Sequence, residues 1–245
     1  MKIIALYSMK GGVGKTAAAV NLAYCAASAG NSTLLLDIDP QASASYYFRI
    51  SPAKKHNVNS LIKGGKKLDK NIRETDFENL DLLPAHLSYR NLDLILDDLK
   101  KPQKQLRSVL APLKKDYKYV FVDCPPNITL VSENIFKAAD LIILPLIPTT
   151  LSKLTYEKLM DFFKEMQHSK STVHTFFSMV EKRKKMHNEL MQQLSAKKKR
   201  FLNSVIPYSS EVEKMGIHRA PLASYNKRSP ATIAFNNLWK EIEKL

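Results

Sequence analysis

The chain has 245 residues, of which 44% are hydrophobic and 25% are charged, and its formal net charge is +15. This length suffices for one large α/β domain with a buried core, and the composition is that of a globular protein rather than a disordered or fibrous one. No run approaches the ~20 apolar residues that span a bilayer, and the amino terminus lacks the pattern of a signal peptide. Cys25 and Cys124 have no metal-ligand spacing, which fits a reducing compartment. We therefore expect a soluble, cytoplasmic protein.

The positive charge is unevenly distributed along the chain. Residues 181–200 contain eight lysines and arginines but only two glutamates. A basic excess of this kind indicates a polyanionic partner, either nucleic acid or an anionic membrane surface. A solvated helix face is the competing interpretation of such a run.

Short apolar runs alternate with helical patterns, which predicts a single-domain α/β fold, a mostly parallel twisted sheet with helices on both faces. Strands are predicted at 2–8, 33–37, 80–83, 119–122, 141–144, 173–180 and 201–206, and prolines at 84, 145 and 207 are expected to end three of them. Helices are predicted at 15–29, 86–99, 103–113, 128–138, 152–167, 182–197 and 229–245. The segment 43–75 shows only short helical pieces and a basic loop at 63–70.

A glycine-rich segment, MKGGVGKT at residues 9–16, follows the first predicted strand directly. Its end matches the phosphate-binding pattern G-x-x-x-x-G-K-[ST], although Met9 stands where the first glycine belongs. We expect Gly11, Gly12 and Gly14 to adopt positive φ and turn backbone N–H groups toward one anion, beside the positive end of the next helix. Lys15 can then reach the β- and γ-phosphates, and the Thr16 hydroxyl can bind Mg²⁺. The alternative is a tight turn without a ligand, but such a turn does not explain why a strand, a glycine-rich loop, Lys-Thr and a helix follow one another here.

Lys10 is a second lysine in the same loop. A cation at this position serves neither the turn nor the helix, yet it stands beside a loop built to hold anions. A surface lysine without a role is the alternative.

Carboxylates end two of the predicted apolar strands. Asp37 and Asp39 follow the strand at 33–37, and Asp123 follows the strand at 119–122. Ligands of open α/β sheets bind at the carboxyl ends of strands. An ionised carboxylate that ends a buried strand needs a partner, and Mg²⁺ with its waters supplies one. The sequence therefore predicts a site for a nucleoside triphosphate with Mg²⁺.

These residues together resemble the ParA/MinD superfamily of deviant Walker ATPases, a SIMIBI-type group of P-loop NTPases, and specifically its ParA branch. The resemblance is carried by KGGVGKT at 10–16, LDIDPQ at 36–41, VDCPP at 122–126 and the tail from 205 to the terminal helix, and it covers essentially the whole chain. It implies one ParA-like ATPase domain over residues 1–245.

The resemblance also implies how the phosphates are held. Two subunits would form a homodimer that encloses two ATP molecules, with Lys10 of each subunit reaching the phosphates bound by the other. Such a lysine would stabilise charge on the transferring phosphoryl group. The nucleotide-binding residues implied by the resemblance are Lys10, Gly11, Gly12, Val13, Gly14, Lys15, Thr16 and Ala17, with Pro207 near adenine in the segments 179–183 and 207–211.

The acidic residues receive separate roles from the same resemblance. Asp39 would orient the attacking water with help from Asp37, and Asp123 would be the Walker B residue. Thr16, Asp123 and Asp39 would hold Mg²⁺. Two positions depart from the family pattern: Ala17 stands where a second threonine is frequent, and Ala42 stands where glycine is usual. Both changes point to slower turnover, since the first removes a hydroxyl and the second stiffens the first switch segment.

ParA relatives bind DNA non-specifically as ATP dimers, and a ParB-like or adaptor protein triggers hydrolysis and release. The resemblance therefore implies a DNA-binding positioning ATPase, nucleoid-associated in its ATP state, whose cargo is a plasmid, a chromosome region or a protein cluster. The expected DNA contacts are Lys197, Lys198, Lys199, Arg200 and Arg219, near the basic residues 182–185 and Lys214. Glu211 departs from the family pattern there.

Three alternatives differ in testable features. A membrane-associated regulator like MinD would need an amphipathic tail beyond the domain. The last helix is instead expected to belong to the domain, because its apolar residues are spaced to face the core: Phe235, Leu238, Trp239 and Ile242. A metal-cluster or nitrogenase-type reductase would need cysteines at the dimer axis, and no C-x-x-C is present. A tyrosine-kinase relative would carry a tyrosine-rich tail, and the carboxyl-terminal part has only Tyr208 and Tyr225.

Overall fold

The computed structural model describes residues 1–99, 104–167, 172–197 and 200–245. Its sheet contains eight strands: β1 (Lys2–Leu6), β2 (Thr33–Asp37), β3 (Arg73–Glu74), β4 (Leu80–Leu83), β5 (Tyr119–Asp123), β6 (Leu141–Leu146), β7 (Val173–Val180) and β8 (Phe201–Pro207). The strand order is β3-β4-β2-β5-β1-β6-β7-β8. Every neighbouring pair is parallel except β3 with β4, which is antiparallel.

Helices connect these strands. The α-helices are α1 (Lys15–Ser28), α2 (Ser43–Tyr47), α3 (Val58–Lys63), α4 (Lys66–Asp69), α5 (Leu92–Asp97), α6 (Gln105–Leu110), α7 (Leu130–Ala138), α8 (Thr150–Glu165), α9 (Lys185–Lys197), α10 (Ser210–Glu213), α11 (Met215–His218), α12 (Leu222–Tyr225) and α13 (Pro230–Glu243). Short 3-10 helices cover Leu87–Asn91 and Ala111–Lys115. The two helices predicted at 86–99 and 103–113 are therefore each divided into a 3-10 and an α part, and residue 103 lies outside the described residues.

Successive side chains along a strand point to opposite faces of the sheet and belong to two separate cores. In β1 and just after it, Ile3, Ala5 and Tyr7 belong to one buried cluster, whereas Ile4 and Leu6 belong to the other. The first cluster is covered by helices α3 to α9 and the second by α1, α13 and the short helices near them. Strands that are buried on both faces read as continuous apolar runs. The prediction of a mostly parallel sheet with helices on both faces is confirmed.

Two strand predictions were wrong in detail. Pro145 does not end its strand, because β6 continues to Leu146 and Pro145 pairs with Phe176 of β7. The neighbouring strand β1 pairs with β6 only as far as Ile143, so no ladder hydrogen bond is required on that side of the proline. The edge strand β3 was not predicted, since two residues are too few to show a period.

The last helix packs into the domain as predicted. Phe235, Leu238, Trp239 and Ile242 are all buried, and the Trp239 ring contacts the Tyr119 ring of β5 edge-on at 5.0 Å. None of the helices in the described part of the chain combines the length and apolar character that a bilayer crossing needs. Both cysteines are buried and free.

The register of the three central strands positions the site. Leu6 of β1 and Asp37 of β2 both pair with Asp123 of β5, so the glycine-rich loop and the two carboxylates emerge at one edge of the sheet. The carboxyl ends of β7 and β8 lie farther along the same edge.

Candidate functional site

The loop between β1 and α1 forms an open backbone cradle. Gly12 and Gly14 have φ of 72° and 85°, a region that L side chains rarely adopt. The prediction for Gly11 was wrong, because Gly11 is not in the positive-φ region. A Cβ on Gly14 would lie 3.0 Å from Ser178 Oγ, so a side chain there would have to displace Ser178 in addition to adopting an unfavourable φ. No side chain caps the start of α1, which leaves its first N–H groups available to an anion.

Lys15 is buried among the carboxylates. Its Nζ lies 3.4 Å from Asp123 Oδ1 and 3.8 Å from Asp39 Oδ2. Burial by itself would lower the pKa of Lys15, but the negative charges of Asp123 and Asp39 outweigh it and raise the pKa. Lys15 is therefore a cation whose charge is balanced within its own chain.

Asp37 is directed at α2 rather than at solvent. Its Oδ2 accepts hydrogen bonds from the Ser45 backbone N at 2.8 Å and from Ser45 Oγ at 2.7 Å. Burial and the nearby Asp123 charge raise the pKa of Asp37 to about 7. Asp37 thus anchors the helix that follows Asp39, and sequence analysis did not identify Ser45 because it lies in the unassigned segment 43–75.

Asp123 carries an incompletely satisfied carboxylate. It is fully buried, and its Oδ2 has no hydrogen-bond partner among the described residues. Burial raises the pKa of Asp123, and the Lys15 charge opposes this rise. A buried carboxylate oxygen without a partner requires a ligand such as water or a metal ion.

The donor set fits Mg²⁺ bound through phosphate and water. Within the described residues no group of three or more His, Cys, Asp or Glu side chains forms a ready metal cage. Mg²⁺ usually binds one or two protein groups and completes its shell with waters and substrate phosphates. Thr16 lies in the first turn of α1, and Asp39 and Asp123 both lie near Lys15 at the same edge of the sheet. These three residues can therefore serve as protein partners of Mg²⁺.

Lys10 occupies the opposite kind of environment from Lys15. Its side chain is exposed and forms no ion pair with any described residue. The Lys10 backbone N donates to Ser8 Oγ at 3.1 Å, which fixes the loop while leaving the ammonium group outside it. Lys10 is therefore a free cation beside an anion cradle.

A cavity of about 210 Å³ leads from the cradle toward the end of β8. Gly12, Gly14 and Ala17 line one end of it, and Met179 and Pro207 line the part expected to receive adenine. Tyr47 and Ser178 also line the cavity, and sequence analysis identified neither, because no motif marks them.

The described basic residues differ in their environments. Lys182 and Arg183 are exposed and make no ion pair with described residues, whereas Lys214 lies 2.7 Å from Glu211. Lys198 and Lys199 lie outside the described residues, and the side chain of Lys197 does too.

The two arginines that are expected to contact DNA lie apart. Arg200 precedes the amino end of β8, while Arg219 lies beyond its carboxyl end and packs on α2. Its Nε donates to the Tyr46 carbonyl at 3.0 Å, and its guanidinium lies 4.4 Å over the Tyr46 ring. The two arginines are close in sequence but lie at opposite edges of the sheet.

Comparison with known proteins gives consistent matches. A family model described as an AAA domain matches residues 1–176. The chain is 28% identical over 246 residues to the chromosome-partitioning ATPase Soj of Treponema pallidum, covering 98% of this chain and 96% of Soj. A plasmid partition protein of Borrelia burgdorferi has a similar structure, with a TM-score of 0.81, 24% identity and coverage of 99% of this chain and 98% of that chain. The septum site-determining protein MinD of Pyrococcus horikoshii, solved in complex with Mg-ADP, gives a TM-score of 0.79 at 22% identity, covering 99% and 96%.

Proposed function

We propose that this chain, which belongs to the ParA branch of the ParA/MinD superfamily of ATPases, is an ATP-dependent dimerising switch that segregates or positions a cargo. The cargo class is a plasmid, a chromosome region or a protein complex. The name of the Treponema relative, a chromosome-partitioning ATPase, and that of the Borrelia plasmid partition protein support this proposal.

ATP binding follows from the cradle. The N–H groups of the loop and of the first turn of α1 bind the phosphates, and Lys15 exchanges its carboxylate partners for β- and γ-phosphate oxygens. Thr16, Asp39 and Asp123 would hold Mg²⁺, which when bound would neutralise charge on the phosphates. The Mg-ADP in the Pyrococcus MinD structure supports this assignment.

Hydrolysis requires the switch segment after β2. Asp39 orients the attacking water, and Asp37 holds α2 through Ser45 so that this segment keeps its position. Asp39 Oδ1 also accepts a hydrogen bond from the Gln41 backbone N at 3.0 Å, which shapes the turn. Turnover is slow until a ParB-like or adaptor protein stimulates it.

The free charge of Lys10 is the observation that carries the proposal. An exposed cation without an ion pair in the described part of its own chain, next to an anion cradle, is placed to bind phosphates held by a second copy. The homodimer with two ATP molecules thereby gains a cross-subunit contact that the ADP state lacks.

Light scattering coupled to size exclusion tests this proposal. Wild-type protein is expected to be monomeric with ADP and dimeric with ATP and Mg²⁺. Asp39→Asn, which keeps an acceptor for the Gln41 N–H, is expected to accumulate the ATP dimer because hydrolysis stops. A wild-type protein or an Asp39→Asn variant that stays monomeric with saturating ATP would contradict the proposal.

DNA binding is the second part of the proposal, and the exposed Lys182 and Arg183 support it. Backbone contacts by such residues carry no base specificity and weaken steeply with salt. ATP-bound protein is expected to shift random duplex DNA at low salt and to release it with ADP. Lys182→Glu/Arg183→Glu is expected to reduce this affinity, while Lys114→Glu/Lys115→Glu, the same charge change at the other edge of the sheet, is the control. Equal affinity in ATP and ADP would exclude a nucleotide-dependent switch on DNA and, with it, association with the nucleoid that is specific to the ATP state.

A membrane-associated regulator is the other candidate, because a MinD protein shares the fold. Vesicle sedimentation with ATP separates the two candidates. We expect no sedimentation, since the apolar residues of α13 are buried within the domain.

A further inference from the structure

Tyr47 is the last residue of α2 and lines the cavity that leads away from the cradle. The residue two positions earlier, Ser45, is bound to Asp37, so the helix that carries Tyr47 is fixed to the end of β2. The Tyr47 hydroxyl makes no hydrogen bond with any described residue. Its neighbour Tyr46 differs, since the Tyr46 hydroxyl donates to the Gly216 carbonyl at 3.3 Å outside this cavity.

Two other hydroxyl groups along the cavity have hydrogen-bond partners, while the Ser178 hydroxyl lies at the cradle beside Gly14. The Tyr208 hydroxyl donates to Glu213 at 2.8 Å, and Ser209 Oγ accepts from the Glu211 backbone N at 3.3 Å. Burial, followed by the charges of Asp123 and Tyr46, raises the pKa of Tyr47. The Tyr47 hydroxyl therefore keeps its proton at neutral pH and is available as a donor.

The first turn of α1 leaves a gap in side-chain contacts to the ligand. Lys15 and Thr16 carry an ammonium and a hydroxyl group, but Ala17, which lines the same cavity as Tyr47, offers only a methyl group. The cavity is lined by Gly12 and Gly14 of the phosphate cradle and by Pro207. A nucleotide bound as in the proposed function would therefore place its α-phosphate and sugar between these residues.

We propose that the Tyr47 hydroxyl donates a hydrogen bond to an α-phosphate oxygen of the bound nucleotide and supplies the contact that Ala17 cannot make. This inference rests on the proposed function, because it requires a nucleotide in the cradle. It makes Tyr47 a nucleotide-binding residue and ties the occupied site to α2 and, through Ser45, to Asp37.

Calorimetric titration of ATP and ADP into the full chain tests the assignment. Tyr47→Phe is expected to weaken both affinities about tenfold, the effect of removing one hydrogen bond to a charged group. Tyr46→Phe, the same change one residue earlier, is expected to leave both affinities unchanged. In the Tyr47→Phe background, Ala17→Thr is expected to restore most of the lost nucleotide affinity. In the wild type, the same substitution is expected to raise the affinity less, because two groups that bind the same phosphate do not contribute additively.

Three outcomes would overturn the inference. The first is an unchanged affinity of Tyr47→Phe in a wild type that binds ATP, which leaves the proposed function standing. The second is a tenfold loss of affinity in Tyr47→Phe that is measured with ATP but not with 2′- or 3′-deoxy-ATP, since the Tyr47 hydroxyl would then bind the ribose. The third is a wild type that binds neither nucleotide, in which case the proposed function fails as well.

Discussion

The glycine-rich loop carries two lysines, five positions apart, that lie in opposite environments. Lys15 is buried and balanced by Asp123 and Asp39, whereas Lys10 is exposed and has no ion pair in the described part of the chain. A charged side chain that has an ion-pair partner within its own chain is stabilised in the absence of ligand. A charged side chain beside a binding site that has no such partner is available to bind another molecule.

Lys10→Ala is expected to give the largest effect and separates the two lysines directly. Hydrolysis of ATP should fall by about a hundredfold or more, because charge on the transferring phosphoryl group loses its stabilising cation. Affinity for ATP should stay within about threefold, since Lys10 does not belong to the cradle of its own chain. Phosphate release and calorimetry measure the two quantities, with Lys114→Ala at the opposite edge of the sheet as the exposed-lysine control. Unchanged hydrolysis in Lys10→Ala would end the distinction between the two lysines.

Lys15→Ala is expected to show the reverse order of effects. Affinity for ATP should fall by about a hundredfold, because the loop loses its cation for the β- and γ-phosphates. The free energy of unfolding without nucleotide should also fall, by roughly 2 kcal/mol, since Asp123 loses its buried partner. Calorimetry and urea unfolding measure these changes. A variant that binds ATP like the wild type would show that Lys15 is structural only.

His56 sharpens the contrast between buried and exposed groups by its pH dependence. Its side chain is 1% exposed, its Nε2 lies 2.6 Å from the Tyr89 hydroxyl, and burial lowers its pKa to about 4. His56 is therefore protonated near pH 6.5 in the unfolded chain but only near pH 4 in the folded protein. Its contribution to the free energy of unfolding is consequently lost as the pH falls from 6.5 toward 4. The wild type is expected to lose about 2 kcal/mol more than His56→Gln over this range in urea unfolding. Parallel curves for the two proteins would refute the prediction.

Ala42→Gly is expected to give the smallest effect. Ala42 has φ of 54°, where an L residue is strained and glycine is not. The variant should be more stable by roughly 0.5 to 1 kcal/mol in urea unfolding. Ala44→Gly, two residues on inside α2 and fully buried, should instead destabilise by about 1 kcal/mol or more. If both variants lose stability, the left-handed backbone of Ala42 carries no strain.

Most of the sheet could be predicted because its central strands are apolar and end in recognisable residues. The strands at 33–37, 80–83 and 173–180 were assigned with the bounds that the structure has. The segment 43–75 could not be assigned, since its helices have four to six residues and show no period. The position of Pro145 inside β6 depended on how far β1 extends beside it, which is a property of the pairing and not of the strand.

The candidate site also contains residues that could be predicted from the sequence and residues that could not. Lys10, Lys15, Thr16, Asp39 and Asp123 were identified from the loop pattern and from carboxylates at strand ends, and the parallel register brings them to one edge. Ser45 and Tyr47 were not identified, because a serine and a tyrosine in a short helix carry no pattern. The basic residues were placed together because the family resemblance implies a DNA-binding surface there, and the direction of β8 separates Arg200 from Arg219.

The sequence by itself determined the fold class, the phosphate cradle and the edge of the sheet where it lies, because periodicity, glycine spacing and strand-end residues are local properties of the chain. Only the tertiary structure decided that Lys15 is neutralised while Lys10 is free, that Asp37 holds α2, and that Tyr47 lines the cavity beside the cradle. Each of these depends on contacts between distant segments, such as the 108 positions that separate Lys15 from Asp123. Packing sets such distances, and no local pattern in the chain encodes them.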